Sequence, residues 1–296
     1  YGRSQAATLF AWQLEKEAYT TEEAFEDYIA EKRLENRQPY TLPLELNLPV
    51  SCYPIIRSST LGYELNRKAE GRTILYFPGG SYIDQPREVH WQFLGMLAKR
   101  ADARIVVPIY PKLPENDASA ACEAMIGFYQ DLLADMDPGE IVFMGDSAGG
   151  GLALSLAMQL RDRGIDGPDR LILICPWVDM TLENPDIPEY ERKDPALDSE
   201  QLRRLGILWA GDLDPADPVV SPLYGSFEDL GEITLLTGTG ELLYPDIAAL
   251  DELLTQEGAD HELAVWSGMF HVWPLYEAYS IPEADEAVEY ILQRLE

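Results

Sequence analysis

The pentapeptide Gly145-Asp146-Ser147-Ala148-Gly149 sets a serine hydroxyl between two glycines, after the apolar run EIVFMG (140–145) and before an alanine- and leucine-rich stretch. The run reads as a buried strand and the stretch as a helix over 147–163, so Ser147 stands at a strand-to-helix turn. Small neighbours let the chain turn that tightly and lift the hydroxyl above the sheet edge. The N–H of Ala148 and the positive end of the helix dipole then face any negative charge that develops there. Nucleophilic attack is the chemistry this arrangement suits. A phosphate-binding glycine loop is the competing reading, but its GK[ST] element is missing.

A serine alcohol needs a base, and the chain has three histidines. His271, in SGMFHVWPLY, follows a strand at 261–266 and falls at the sheet end where the serine turn lies. His261 opens that strand at its far end as a polar strand-start residue, and His90 lies in a helix beside Trp91, at the core edge or pocket wall. His271 is therefore the expected general base. An acid must orient the imidazole. Glu241 is the first acid beyond a strand at 232–237, at the same sheet end; Asp246, in the first turn of the following helix, is the alternative. PGGSY (78–82), after a strand at 73–77, offers the N–H groups of Gly80 and Ser81 as oxyanion donors beside Ala148, with Gly79 setting the turn.

The elements that must hold these groups follow from periodicity. Phe10, Leu14 and Ala18, then Ala24, Phe25, Tyr28, Ile29 and Leu34, form apolar stripes of two N-terminal helices, with Thr21 a starting residue. VSCYPIIRSS (50–59) and GYELNRK (62–68) read as an antiparallel pair. Strands at 72–80, 103–110, 140–145, 171–179, 232–240 and 261–268 alternate with helices at 86–100 (begun by proline), 118–136, 147–163, 245–258 and 282–296. Such alternation predicts an α/β fold with a largely parallel sheet covered on both faces. The Pro- and Asp-rich stretch at about 180–230, with one helix near 199–210, breaks the pattern and reads as an insertion. Together with residues 1–45 it forms a helical cap over a catalytic domain spanning 46–296.

Composition narrows the partners. The chain has 296 residues, 46% of them apolar, and 52 acidic against 22 basic residues give a net charge of −30. That field repels nucleic acid and anionic lipid and disfavours anionic substrates. No apolar run approaches the roughly 20 residues of a membrane span, and the charged, amphipathic first residues lack a signal-peptide core, so a cytoplasmic location is expected. Cys52, Cys122 and Cys175, odd in number and set in apolar surroundings, read as reduced core residues, neither a disulfide frame nor a metal site.

Over roughly 72–296 these motifs resemble the hormone-sensitive-lipase-type branch of the α/β-hydrolase esterases. FPGGSY is similar to that branch's HGGG loop, YPKLPEN (110–116) to its YRLAPE segment and GDSAGG to its elbow, and CPWVD, DPVVSPLYG, TGTGELLYPD and GMFH recur in its order. The resemblance implies a mostly parallel eight-stranded sheet with a helical cap, a Ser147–Glu241–His271 triad and an oxyanion hole from Gly80, Ser81 and Ala148. Pro78 stands where the family has histidine, and Ser81 replaces the third glycine, narrowing the entrance.

The expected activity is cofactor-independent, metal-free hydrolysis of small, uncharged, short-chain acyl esters through an acyl-enzyme. Amide or formamide hydrolysis on the same triad, or a non-catalytic small-molecule receptor, are the alternatives. Tyr82, Trp91, Trp177, Trp209 and Trp273 are candidates to line the pocket or to pack the core and cap. The partner is a small-molecule ester, with neither nucleic acid nor membrane, and the resemblance implies a possible homodimer through the last strand.

Overall fold

The protein, seen in a computed structural model, is described over residues 2–16, 19 and 21–296; the expected stripe residue Ala18 lies outside the described residues. Strands β1 (Cys52–Arg57), β2 (Thr60–Leu65), β3 (Thr73–Phe77), β4 (Arg104–Pro108), β5 (Ile141–Asp146), β6 (Arg170–Ile174), β7 (Glu232–Gly238) and β8 (His261–Trp266) form one sheet. Their order is β1-β2-β4-β3-β5-β6-β7-β8. β2 runs antiparallel to β1 and β4, and every other pairing is parallel. This is the α/β-hydrolase architecture expected from the sequence.

Nine α-helices are present among the described residues: α1 (Gln5–Ala11), α2 (Glu22–Asn36), α3 (Glu88–Arg100), α4 (Ala118–Leu133), α5 (Ala148–Asp162), α6 (Ile187–Glu191), α7 (Ser199–Ala210), α8 (Tyr244–Glu257) and α9 (Pro282–Leu295). Strand side chains alternate between two cores, because successive residues of a pleated strand point to opposite faces. On β3, Leu75 and Phe77 belong to the core shared with α4, α5 and α8, whereas Ile74 and Tyr76 belong to the one shared with α1, α3 and α9. All residues of β3 and β5 are buried, as near-continuous apolar strands require once both faces are covered.

Several boundaries differ from expectation, and one helix was not expected. α3 begins at Glu88, two residues beyond Pro86, with Arg87 in extended backbone at its cap. The strand expected to reach residue 179 ends at Ile174, because Cys175 takes a positive φ of 48° and turns the chain out of the sheet. The short α6 carries no periodic signal that its Pro- and Asp-rich sequence could display. Helix α2 does start after Thr21, whose hydroxyl accepts the Ala24 N–H at 3.2 Å.

Leu202, Leu205 and Trp209 of α7 bury in the same core as Phe25 and Tyr28 of α2. Across that contact the Arg204 guanidinium sits 3.6 Å from the Phe25 ring centroid and pairs with Glu22 at 2.5 Å. No described helix is long and apolar enough to cross a membrane.

Parallel register brings the carboxyl ends of β3, β5, β7 and β8 out along one edge of the sheet: Phe77 pairs with Gly145, Asp146 with Ile174 and Gly238 with Trp266. The loops leaving that edge carry Gly79, Gly80, Ser81, Ser147, Glu241 and His271. Helix α5 crosses β3 so closely that a Cβ on Gly149 would stand 1.9 Å from the Phe77 carbonyl oxygen. Backbone on both sides leaves no flexible group to give way. Gly149→Ala is therefore expected to destabilise the fold by about 3 kcal/mol, read as a lowered midpoint in denaturant unfolding.

Candidate active site

Ser147 occupies the turn between β5 and α5 with φ 52° and ψ −124°, a backbone state that residues with a side chain rarely adopt. The surroundings over-determine it. Its N–H donates to the Ile174 carbonyl at 2.9 Å, and its own carbonyl accepts from Trp177 N–H at 2.9 Å and Gly151 N–H at 3.1 Å. Gly145 is required at the same corner, since a Cβ there would lie 2.5 Å from the Gly149 backbone.

His271 brings Nε2 to 2.9 Å from Ser147 Oγ and Nδ1 to 2.6 Å from Glu241 Oε2. A carboxylate can only accept, so the Nδ1 proton faces Glu241 and Nε2 is left to accept from the serine. Glu241 is fully buried; Thr237 Oγ1 and Gly238 N–H donate to its second oxygen at 2.6 and 3.1 Å. Burial pulls the His271 pKa down, but the hydrogen bond and charge of Glu241, helped by Asp194 and Asp146, carry it above 6.5. The three residues expected to act together thus meet in a continuous hydrogen-bonded chain.

Asp246, the alternative acid, is elsewhere. It is buried in the first turn of α8 near Asp179 and Asn184. His261 sits at the start of β8 beside Ala259 and Asp251, as its position suggested.

The loop 78–82 turns through three successive positive φ values, 126° at Gly80, 50° at Ser81 and 61° at Tyr82. Where the family histidine is missing, three other contacts hold it. Tyr110 OH donates to the Pro78 carbonyl at 2.7 Å, Gly79 N–H donates to Asp146 Oδ1 at 2.9 Å, and the Tyr82 ring stacks on Trp209 at 4.0 Å. Gly79 thus has its amide engaged, while Gly80 and Ser81 line the cavity. Ala148 opens α5, where the first N–H groups lack intrahelical acceptors.

Sequence reasoning missed the group behind the loop. Asp146, 2% exposed, accepts from Tyr76 OH at 2.6 Å as well as from Gly79, and His90 Nε2 lies 3.3 Å from its other oxygen. Burial pushes its carboxyl up, but His90 and these hydrogen bonds hold it below the usual range. Only the position before the serine hinted at it. The fold supplies its partners from β3 and α3.

The cavity in front of Ser147 has a volume of about 430 Å³. Leu14, Tyr28, Leu197, Leu202 and Tyr276 form much of its apolar wall. None of Tyr82, Trp91, Trp177, Trp209 and Trp273 lines it; all five are buried in packing. The three cysteines are free thiols, Cys122 and Cys175 buried and Cys52 only half-buried. Among the described residues one group could bring metal-ligating atoms together, Cys175, Glu241 and His271, within 4.8 Å. Both ring nitrogens there already face Ser147 and Glu241, so a cation would compete with the hydrogen-bonded chain.

Burial, and then the charge of Asp179, raises the Asp246 carboxyl from 3.8 to about 7. Its stabilising, protonated form is complete below pH 3.8 and is lost as pH climbs through about 7. Asp246→Asn is accordingly expected to raise Tm by roughly 5 °C at pH 8, with the gain vanishing near pH 4, in thermal unfolding at the two pH values.

A family model of the alpha/beta hydrolase fold matches residues 74–275. An acetyl-hydrolase of Streptomyces hygroscopicus is 32% identical over 223 residues, covering 75% of this chain and 74% of that protein. An esterase of Acinetobacter venetianus is 29% identical over 246 residues, covering 82% and 80%. The crystal structure of an esterase from the bacterial hormone-sensitive lipase family superposes with a TM-score of 0.80 at 25% identity, covering 94% of this chain and 98% of that one. Fold, ordered motifs and relatives agree: the chain belongs to the α/β-hydrolase family, among the hormone-sensitive-lipase-type esterases, as a carboxylesterase-type hydrolase.

Proposed function

We propose that the protein hydrolyses small, uncharged, short-chain acyl esters through a covalent acyl-enzyme on Ser147. The observation that carries the reading is the unbroken chain Ser147 Oγ, His271 Nε2 and Nδ1, Glu241 Oε2, with steps of 2.9 and 2.6 Å. Ser147 Oγ attacks the ester carbonyl as its proton passes to His271 Nε2, and Glu241 steadies the imidazolium. The oxyanion is held by the N–H groups of Gly80, Ser81 and Ala148, each worth about 3 kcal/mol in the barrier. His271 returns the proton to the departing alcohol. Water then enters by the same route, frees the acid and restores the serine.

In this reading residues 1–45 and the insertion at about 180–230 act as the cap, over a catalytic domain of 46–296. The acyl preference follows from a cavity of about 430 Å³, which Ser81 narrows beside the nucleophile.

p-Nitrophenyl esters of rising acyl length separate the possibilities. The wild type is expected to prefer acetyl and butyryl over longer chains, with an acid limb in kcat/KM above pH 6.5 because His271 must be neutral to act. Ser147→Ala should fold normally, lose turnover and escape labelling by a fluorophosphonate; wild-type turnover in that variant would end the assignment. Ser81→Gly should broaden the acyl range while leaving acetyl turnover within about threefold. An unaltered range would remove Ser81 from the specificity argument.

A further inference from the structure

Asp194 enters from the insertion, just after α6, and is 5% exposed. Its two carboxylate oxygens serve different parts of the molecule. Oδ1 accepts from Ala196 N–H at 2.7 Å and Leu197 N–H at 2.9 Å, and both of those residues line the cavity. Oδ2 accepts from Leu242 N–H at 2.7 Å, the residue directly after Glu241. The carboxylate therefore spans from the cavity wall to the backbone that carries the acid, and its charge acts on His271.

We propose that Asp194 is a positioning residue of the triad, through which the insertion fixes the Glu241 turn and adds a second negative charge facing the imidazole. The inference rests on the ester-hydrolase reading above.

A merely structural reason for Asp194 would be to satisfy three backbone amides in a buried loop. Those donors use both oxygens, and an amide side chain, with one accepting oxygen, cannot serve them all, so the charge and the hydrogen bonds are told apart by the pH limb and by the Glu variant. Burial raises the carboxyl's own pKa, against which the His271 charge and the three N–H donors work. The charges that act on His271 are those of Glu241 after β7, Asp194 from the insertion and Asp146 at the end of β5, with the Cys175 thiol after β6 close to the pair. Glu241 is hydrogen-bonded to the ring and dominates. Removing Asp194's charge leaves the imidazolium less stabilised, so the base titrates at lower pH.

The test is the pH dependence of p-nitrophenyl acetate hydrolysis by the whole chain. Asp194→Asn is expected to move the acid limb of kcat/KM down by about half a pH unit. It should lower kcat roughly tenfold or more, with a smaller change in KM, because the Glu241 turn loosens. Asp194→Glu retains the charge but displaces the oxygens by one methylene; it should lose kcat while keeping the limb within about 0.2 units of wild type. An unmoved limb in the Asn variant, or an equal downward move in the Glu variant, overturns the proposal. Should Asp194→Asn fail to fold, the Glu variant still decides, since undiminished kcat or a shifted limb there counts against the role. Fluorophosphonate labelling of Ser147 in the wild type is read alongside, so that loss of the underlying reading is recognised separately.

Discussion

At the head of α5 two stretches of backbone lie within contact of each other, and no side chain fits between them. A methyl group on Gly149 would fall on the Phe77 carbonyl, and one on Gly145 on the Gly149 backbone. This proximity sets where the helix begins relative to the sheet, and so where Ser147 Oγ stands. It also presses Ser147 into its positive-φ conformation, held by hydrogen bonds to Ile174, Trp177 and Gly151. Everything else in the proposed machinery is arranged around that one oxygen: an imidazole on one side, a loop of backbone amides on the other.

The loop of amides depends on a second buried anchor. Asp146 is adjacent to the serine in sequence, yet its carboxylate points back to receive Tyr76, His90 and Gly79. One residue thereby ties the nucleophile turn to the oxyanion loop, so that their spacing is fixed from within the core. Tyr110 completes the bracing through the Pro78 carbonyl. In place of the missing family histidine the loop is held at two backbone atoms, the Pro78 carbonyl and the Gly79 amide, and by the stacking of Tyr82 on Trp209.

Much of this was readable in the chain. Strand-to-helix context marked Ser147, and the scarcity of histidines left His271 with little competition. Glu241 could be preferred to Asp246 because it is the first acid beyond its strand, whereas an acid in the first turn of a helix has a structural reason to be there; the structure buries Asp246 near Asp179. What the sequence withheld were contacts whose partners come from remote elements. His90 gives no sign that it meets Asp146, 56 positions away, nor Asp194 that it meets Leu242. The large aromatics were left between pocket and core by sequence, and the structure puts all five in packing. Large rings suit a pocket wall and a core by type; Tyr82 lies flat against Trp209 and tilted on Trp177 in one core, while Trp91 and Trp273 pack into the other.

That stacked pair couples two properties that an engineer would prefer to adjust one at a time. Trp209 belongs to the segment whose Leu197 and Leu202 line the cavity, and Tyr82 to the loop proposed to supply the oxyanion amides. Trimming the tryptophan to admit bulkier esters withdraws the flat support beneath the tyrosine, three residues into a run of left-handed backbone. On the proposed reading scope and rate are therefore mechanically linked in this scaffold, whereas Leu14 and Leu197 meet the ligand space directly.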